Sequence, residues 1–359
     1  MNRKLLSSRL FFGLLLVTLG LPVSVIAAHE LQSATQIGSN NQTDQYVRRL
    51  GSRQLLSIEN DALEFLFAGV RDYQIGDEWG KREVDITSLP SQDEVYRRSV
   101  NATAFFNSAT AFYLGKFAGE HVMATNHHVL DRDSDCSGRQ LHFTVRKQKY
   151  RCKALIGSWP EIDLALFVLE NPGTADDDLL PYAGNFDFNA PLAEDTRLLT
   201  AGFGIAGNPG RKMVVNENPD CRIVSAQGEY RLMADPDKYN PADYKAWSFA
   251  TGCSVSHGDS GSSVVNRQTG GVVGIVWTGA IPKEERIQHS SYIKEIQSRR
   301  DEEIWSLLTY VVPAEKIATK LRQELSSGSI PRRFVPAISQ MLGAQFEKEI
   351  SPFKQSSTD

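Results

Sequence analysis

The stretch from Ala102 to Lys116, which reads ATAFFNSATAFYLGK, decides the fold class of this sequence. It is the first of several short runs rich in Val, Phe, Tyr, Leu and Thr, which Gly, Asn, Asp and Pro separate from one another. Such runs are typical of strands in antiparallel β proteins. Four more follow, at His121–Val129, Leu141–Lys147, Tyr150–Trp159 and Leu164–Leu169.

A second set of strands is predicted after a connecting segment at 171–194. Its members are Arg197–Phe203, Lys212–Val215, Cys221–Ser225, Ala246–Ala250, Ser263–Val265, Val272–Trp277 and Leu307–Val312. Apolar residues then repeat at helical spacing from Ala314 to Leu325 and predict a helix that closes the domain. The sequence therefore predicts an all-β fold in two halves with a C-terminal helix.

The first residues have the pattern of a secretory signal peptide at 1–27. Arg3, Lys4 and Arg9 precede an apolar run that Pro22 interrupts and that two alanines end. An uncleaved membrane anchor is the alternative, because the run approaches the length that spans a bilayer. The chain has no second long apolar segment, so we expect a secreted or periplasmic protein with no stable membrane insertion once the signal is removed.

The region between the signal and the first strands is polar and uneven, and we predict a leader or pro-segment at 28–98. Cleavage after Arg98, in the sequence Arg97-Arg98-Ser99, could release it, although a solvent-exposed arginine pair is an equal interpretation. The main β domain is expected at 99–325 and a C-terminal tail at 326–359.

Charge and motif content exclude several classes of function. The formal net charge is -4, and without the three basic residues of the signal it is about -7, so no nucleic-acid partner is expected. Asp131, Asp133 and Asp135 suggest a calcium loop, but Cys136 stands where that loop requires glycine. The sequence also lacks the His-Glu-x-x-His pattern of zinc peptidases. We expect no cofactor, no metal and a monomer.

Four cysteines in an exported chain predict two disulfides, for which three pairings are possible. The sequence-local pairing is favoured. Cys136 with Cys152 would close a loop across a predicted hairpin. Cys221 with Cys253 would tie a strand to the segment that leads into residue 260.

The first candidate catalytic motif is Gly258-Asp259-Ser260-Gly261-Ser262. A serine nucleophile must stand on a tight turn, and flanking glycines allow the backbone angles that such a turn requires. In this interpretation Ser260 is the nucleophile, and the backbone N–H groups of Gly258 and Ser260 form an oxyanion hole. An ordinary Gly-Ser turn is the alternative, so the motif needs partners.

Two further segments supply those partners. His127 and His128 follow a predicted strand, where an imidazole can serve as a general base toward a serine, and the residues alone leave open which of the two does so. Asp163 opens the apolar strand at 164–169, an unusual place for a charge unless it pairs with another group. A carboxylate there is suited to orient an imidazolium, and a strand-start cap is its alternative role.

The order His, Asp, Ser along an all-β chain identifies a family resemblance. Ala124–Val129 resembles the strand-end motif of chymotrypsin-like and bacterial HtrA-like serine proteases, whose catalytic base is the second of the two central positions, here His128. Asp163–Leu166 resembles the aspartate motif of that family. Gly258–Gly261, with Gly274–Val276, resembles its nucleophile loop and the strand that follows.

The resemblance covers about residues 100–325. It implies two six-stranded antiparallel Greek-key barrels, at about 99–175 and 190–325, with the active site between them. It also implies that a triad of His128, Asp163 and Ser260 hydrolyses peptide bonds in proteins through an acyl-enzyme.

The same resemblance implies how substrate is held. Trp277, Thr278 and Gly279 would pair with the main chain of the substrate. Ser254, six residues before the nucleophile, would form the base of the specificity pocket. Because Ser254 is uncharged, and Val276 stands where glutamate-specific relatives carry histidine, we expect a small or apolar residue before the cleaved bond.

Two features leave alternatives open. The sequence lacks the Ile-Val-Gly-Gly start that, in the trypsin branch, brings a new amino terminus to the acid before the serine, so Asp259 has no obvious partner. A catalytically silent protease-fold protein that acts as a binding or adhesion module is the alternative function, although none of the three motifs is damaged. An α/β-hydrolase is disfavoured, since Ser262 replaces the glycine that its motif needs.

Overall fold

A computed structural model describes residues 69–170, 179–236 and 245–350. The predicted signal peptide at 1–27 and the first part of the predicted leader lie outside the described residues. The last part of the predicted tail, at 351–359, also lies outside them.

Strands dominate the described part of the chain. They are β1 (Lys81–Glu83), β2 (Thr103–Phe106), β3 (Ala109–Phe117), β4 (Glu120–Thr125), β5 (Gln140–Phe143), β6 (Gln148–Trp159), β7 (Leu164–Leu169), β8 (Leu198–Gly202), β9 (Val214–Asn216), β10 (Arg231–Ala234), β11 (Lys245–Thr251), β12 (Ser263–Asn266), β13 (Val272–Gly279) and β14 (Thr309–Pro313). The α-helices are α1 (Glu94–Ala102), α2 (Asp133–Cys136), α3 (Ser290–Ser298), α4 (Ile304–Leu307), α5 (Ala314–Ser327) and α6 (Val335–Ile350). This content confirms the predicted all-β class with a C-terminal helix.

Six strands of the first half close into a barrel in the order β2-β3-β4-β7-β6-β5. The run that opened the sequence analysis contributes two of them, because Asn107 and Ser108 take positive φ angles of 47° and 60° and turn the chain between β2 and β3. The next strand, β4, pairs with β3 and β7 and leads directly into the histidine pair. The predicted first barrel is confirmed.

Alternation along the barrel strands separates two layers of core. On β3, Ala111 and Tyr113 join the buried cluster to which all six barrel strands contribute. Their neighbours Phe112 and Leu114 join a second cluster, which includes residues of β13, α5 and α6. Because successive side chains of a strand point to opposite faces, one strand serves both cores and fixes the barrel against the second half.

The second half is an eight-stranded antiparallel sheet in the order β1-β9-β8-β12-β13-β14-β11-β10. The resemblance predicts a closed six-stranded barrel here, whereas the described residues form an eight-stranded sheet with two strands more than predicted. One is β1, which comes from the segment predicted as leader, and the other is β10, where no strand was predicted. Both lie at the edges of the sheet, and the six strands between them form its centre.

The segment before residue 99 is built into this half. The compact unit that contains both β halves begins at Ala68. Within it, β1 pairs antiparallel with β9, and Val84 and Tyr96 join a buried apolar cluster with residues of β8 and β9. The predicted boundary at residue 98 therefore does not coincide with a structural boundary, since a sheet edge and core contacts cross it.

The predicted tail also takes part in the core. Ala337, Ile338 and Met341 on α6 are buried in the same cluster as Ile317 and Leu321 of α5. Because residues of both helices share one buried cluster, the domain continues past residue 325 at least to α6.

Both favoured disulfides are present. Cys136 is bonded to Cys152 in the first half, and Cys221 is bonded to Cys253 in the second. Within the described residues no helix is long and apolar enough to cross a membrane.

Candidate active site

A carboxylate and an imidazole meet where the first barrel faces the sheet. Asp163 follows a short 3-10 turn at Pro160–Ile162 and takes left-handed backbone angles of φ 35° and ψ 49°. Its side chain is completely buried, and Oδ2 lies 2.8 Å from His128 Nδ1. Its other oxygen, Oδ1, accepts the backbone N–H of His128 at 3.1 Å. The two contacts fix both the backbone and the ring of His128.

This geometry also fixes the proton on His128. A carboxylate can only accept, so Nδ1 of the neutral ring must carry the hydrogen that points to Asp163. Nε2 is then left as the acceptor, which is the form that a general base requires. The His128 side chain is 29% exposed, so the ring is partly open to solvent.

The neighbouring histidine has a different environment. His127 Nδ1 lies 2.7 Å from Ser158 Oγ, and that hydroxyl donates to the carbonyl of Leu130. Burial lowers the pKa of His127 below its usual range, although Asp163 opposes the effect. His127 therefore stays neutral near pH 7 and holds the turn after β4, which agrees with the choice of His128 as the base.

Ser260 stands on a turn that only glycines allow. Gly258 and Gly261 have φ angles of 94° and 84°, in the left-handed region. A side chain at Gly258 would lie 2.6 Å from the carbonyl oxygen of Phe203, and one at Gly261 would collide with the carbonyl of Thr110. Any other residue at either position would therefore displace the turn.

Thr110 on β3 holds the carbonyl side of this turn, a role that sequence reasoning missed. Its hydroxyl donates to the Gly258 carbonyl at 2.7 Å, and its backbone N–H donates to the Ser260 carbonyl at 3.0 Å. Both carbonyls are thereby directed into the protein. Within the described residues, the N–H groups of Gly258 and Ser260 donate no hydrogen bond, so both remain available for an oxyanion.

The same threonine connects the turn to the histidine strand. Thr125, at the end of β4, donates its hydroxyl to the Thr110 carbonyl at 2.8 Å. His128 follows three residues later and Ser260 is bonded to the same threonine. Nothing in the spacing of the sequence marks Thr110, since it lies within an ordinary strand.

A small cavity of about 40 Å³ adjoins Ser260. It is lined by Val255, Ser256, His257, Ser260, Val276, Trp277, Thr278, Gly279 and Ile281. Three of the predicted substrate residues, Trp277–Gly279, are thus at the cavity, and no carboxylate or lysine lines it. His257, which the sequence analysis did not single out, also lines it.

Ser254 was predicted as the base of the specificity pocket, a role that stays a prediction. It is completely buried, is not among the residues that line this cavity, and its hydroxyl accepts the backbone N–H of Ile75 at 3.1 Å. The residue that contacts it comes from the segment predicted as leader, which the sequence analysis placed outside the domain.

The acid before the serine has a partner that the sequence did not reveal. Asp259 Oδ2 forms an ion pair with Lys81 Nζ, and the two side chains are only 5% and 3% exposed. Burial lowers the pKa of Lys81, and the attraction of Asp259 opposes that shift. In the sequence, this pair is indicated only by the lack of an obvious partner for Asp259. That observation does not identify which basic residue pairs with it.

A closed antiparallel barrel, a large antiparallel sheet and a buried aspartate paired with a histidine are features of the class of chymotrypsin-like serine proteases. Residues 109–275 match the family profile described as a trypsin-like peptidase domain. This match supports a serine peptidase of the chymotrypsin-like kind.

Solved structures provide a further comparison. The chain is similar to the Rv3671c protease of M. tuberculosis in its active form, with 15% identity over 67% of this chain and 87% of that one and a TM-score of 0.43. An inactive form gives 16% identity over 67% and 97%, with a TM-score of 0.42. An HtrA-type protease, AlgW with a tripeptide, gives 17% identity over 69% and 65%, with a TM-score of 0.38. A search of curated proteins finds no match.

Proposed function

We propose that this chain is a serine endopeptidase with Ser260 as nucleophile, His128 as general base and acid, and Asp163 as the group that orients His128. The observation that carries the proposal is the double contact of the buried Asp163 carboxylate with the ring and backbone of His128. A merely structural aspartate cap would need only the backbone contact. The contact with Nδ1 adds the tautomer that a base requires.

The reaction would proceed in two halves. His128 Nε2 takes the hydroxyl proton of Ser260 as its oxygen attacks the peptide carbonyl, and then gives that proton to the leaving amine. The acyl group remains on Ser260. His128 next takes a proton from water, the resulting hydroxide attacks the acyl carbon, and the proton returns to Ser260 as the acid product leaves.

Negative charge on the carbonyl oxygen during each half would be met by the N–H groups of Gly258 and Ser260. Their availability, and the hydrogen bonds from Thr110 to the carbonyls on the other side of the turn, support this role. Because these donors are fixed before substrate arrives, they require little reorganisation during the reaction.

The cavity beside Ser260 supports a preference for small, uncharged residues before the cleaved bond. The cavity measures only about 40 Å³, which leaves room for little more than a small side chain. No charged carboxylate or ammonium in its lining would balance a charged side chain. A substrate strand would pair with the end of β13 at Trp277–Gly279, which extends past the Val272–Ile275 segment paired with β12.

The two disulfides support an oxidising location, outside the cell or in a periplasm. We infer an exported enzyme with protein or peptide substrates, no nucleic-acid partner and a monomeric state. Size-exclusion chromatography with light scattering of the exported protein tests the last point, and a dimer mass would contradict it.

The function is tested by turnover of an unstructured protein, with Ser260→Ala measured beside the wild type and cleavage sites read by mass spectrometry. Cleavage after small residues that disappears in the variant is the expected result. A serine-directed phosphonate should also label the wild type at Ser260. Absence of both turnover and labelling in a folded wild type would favour the binding-module alternative instead.

A further inference from the structure

The segment predicted as a removable leader supplies a buried cation to the nucleophile turn. Lys81 opens β1, pairs with Asn216 of β9, and directs its ammonium group to Asp259. Its side chain also reaches Ser256 Oγ at 3.4 Å. The cation and the carboxylate are almost completely removed from solvent, so neither is stabilised by water in the absence of the other.

Asp259 also accepts two backbone hydrogen bonds that shape the turn. Its Oδ1 accepts the backbone N–H of Gly204 at 3.0 Å, and Oδ2 accepts the backbone N–H of Ser256 at 2.7 Å. Asp259 stands between Gly258 and Ser260, the two residues whose N–H groups form the proposed oxyanion hole. The carboxylate therefore anchors the inner side of the turn while the neighbouring amides face the cleft.

The ion pair leaves no space for another cation. A side chain added at Gly204 would collide with both Lys81 Nζ and Asp259 Oδ2. A chain terminus delivered by cleavage would need the position that Lys81 Nζ already occupies. Lys81 must leave before any other amino group can pair with Asp259.

The bond after Arg98 is also poorly placed for cleavage. It lies within α1, and Ser99 on its far side is buried. Arg98 donates to the Gly270 carbonyl at 2.7 Å, and Asp93, which caps α1, pairs with Arg267. A protease would have to unfold this helix and break its bonds to the β12–β13 hairpin before it could cut.

We propose that Lys81 is a positioning residue that holds Asp259, and through it the oxyanion turn, so that the enzyme is active with residues 69–98 still attached. This inference rests on the proposed function. It gives the segment a permanent role in activity, where the sequence suggested a leader to be removed, and it makes activation by cutting after Arg98 unnecessary.

The first experiment is intact-mass analysis of the full exported chain after labelling with the phosphonate. The labelled species should have a mass that includes Lys81. A labelled species that begins at Ser99, with unlabelled longer chain beside it, would overturn the inference while leaving the proposed function in place. A wild type that is never labelled would instead count against the proposed function.

The second experiment compares Lys81→Met with the control Lys212→Met. The control removes an exposed lysine that pairs with Glu83, a residue on the same strand as Lys81. Lys81→Met should lower kcat by about 100-fold, in the range expected when an oxyanion donor is displaced, with little change in KM. Affinity for a peptide boronate, which needs the oxyanion hole, should fall in parallel. Lys212→Met should behave as the wild type, and equal kcat values for the two variants would overturn the inference.

Two measurements distinguish a positioning role of Lys81 from general destabilisation of the protein. Only the first of them depends on turnover. Lys81→Arg keeps the charge and should recover part of kcat, and it should move any alkaline loss of activity to higher pH. Hydrogen exchange at the amides of Gly204 and Ser256 should become faster in Lys81→Met, because both donate to Asp259. Unchanged exchange at these two amides would contradict the role of Lys81, whether or not the protein proves to be a peptidase.

Discussion

The Thr110 hydroxyl donates a hydrogen bond of 2.7 Å to the carbonyl oxygen of Gly258, although 148 residues separate them in the chain. With the backbone bond from Thr110 to the Ser260 carbonyl, this contact turns both carbonyls of the nucleophile loop inward. One residue of the first half therefore sets which peptide groups of the second half face the cleft.

Thr110→Val should lower kcat by about 10- to 100-fold with a small change in KM. The substitution keeps the size and branching of the side chain but removes the donor to Gly258, so that the Gly258–Asp259 peptide can rotate. Steady-state kinetics on a peptide substrate measures the effect.

Thr110→Ser is the matched control, because it keeps the hydroxyl. It should retain activity within a few-fold of the wild type. If Val and Ser at this position have the same kcat, the hydroxyl does not hold the turn.

Asp163→Asn should lower kcat by about 10⁴-fold while the protein remains folded. An asparagine amide can donate to His128 Nδ1, which moves the ring hydrogen to Nε2 and removes the acceptor that Ser260 needs. Phosphonate labelling rates and circular dichroism would be recorded together. The control is Asp131→Asn, an exposed position beside the same histidine turn, which should keep full labelling. Labelling of Asp163→Asn at the wild-type rate would contradict the proposed role.

Stability should depend on pH through the pair of Asp93 and Arg267. The hydrogen bond to Arg267 lowers the pKa of Asp93 from 3.8 to about 2. Because the folded pKa is lower than the unfolded one, the pair stabilises the fold above about pH 4 and loses this effect as the pH falls through 2. Asp93→Asn should cost about 1 kcal/mol in urea unfolding at pH 7, a value reduced for solvent screening of a half-exposed carboxylate.

The cost of Asp93→Asn should begin to shrink below about pH 4 and approach zero as the pH falls through 2. Asparagine still caps α1, so the difference isolates the charge. Glu120→Gln removes an exposed pair with Lys153 and should have a smaller effect at pH 7. A cost that stays constant with pH would exclude the ion pair as its origin.

Ile281→Ala should widen the specificity of cleavage. Ile281 lines the small cavity beside Ser260 and is only partly buried, so its truncation enlarges the cavity with limited damage to the core. We expect kcat/KM for substrates with leucine before the cleaved bond to rise by about 10-fold relative to alanine, as one or two methylenes in an apolar pocket are worth about 1–3 kcal/mol. An unchanged ratio would place the specificity pocket elsewhere.

Removal of the second disulfide by the double change Cys221→Ala and Cys253→Ala should lower the free energy of unfolding by about 3–4 kcal/mol, in the range expected for a loop with a sequence separation of 32. Thermal and urea unfolding measure it. Reduction of the wild type should produce a loss in the same direction. A double variant as stable as the wild type would show that this disulfide does not contribute to the stability of the fold.

The sequence alone was sufficient to predict features that depend on local residue patterns. Short runs rich in Val, Phe, Tyr, Leu and Thr predicted the strands of the closed barrel, and helical spacing predicted α5. Even cysteine number and the preference for short loops predicted both disulfides. The glycines around Ser260 predicted a tight turn, because left-handed backbone angles are a local requirement that a single residue type satisfies.

The sequence also assigned candidate site residues where motifs are contiguous. His128 and Asp163 were selected by resemblance to family motifs, and the structure brings the two side chains to 2.8 Å. Ser254 was assigned in a different way, and its role stays a prediction. Its position relative to the serine was transferred by counting, whereas its actual surroundings depend on Ile75, from a segment that lies outside the family motifs.

Only the tertiary structure decided what holds the nucleophile turn. Lys81 and Thr110 are ordinary members of strands β1 and β3, and no local pattern distinguishes either from its neighbours. Their importance arises because the sheet brings Lys81 to a buried carboxylate and the barrel brings Thr110 to two carbonyls. The buried carboxylate of Asp259 needs a cationic partner, since a charge away from water must be neutralised. Which residue meets that need is a property of long-range pairing, and a single sequence does not encode it in any local pattern.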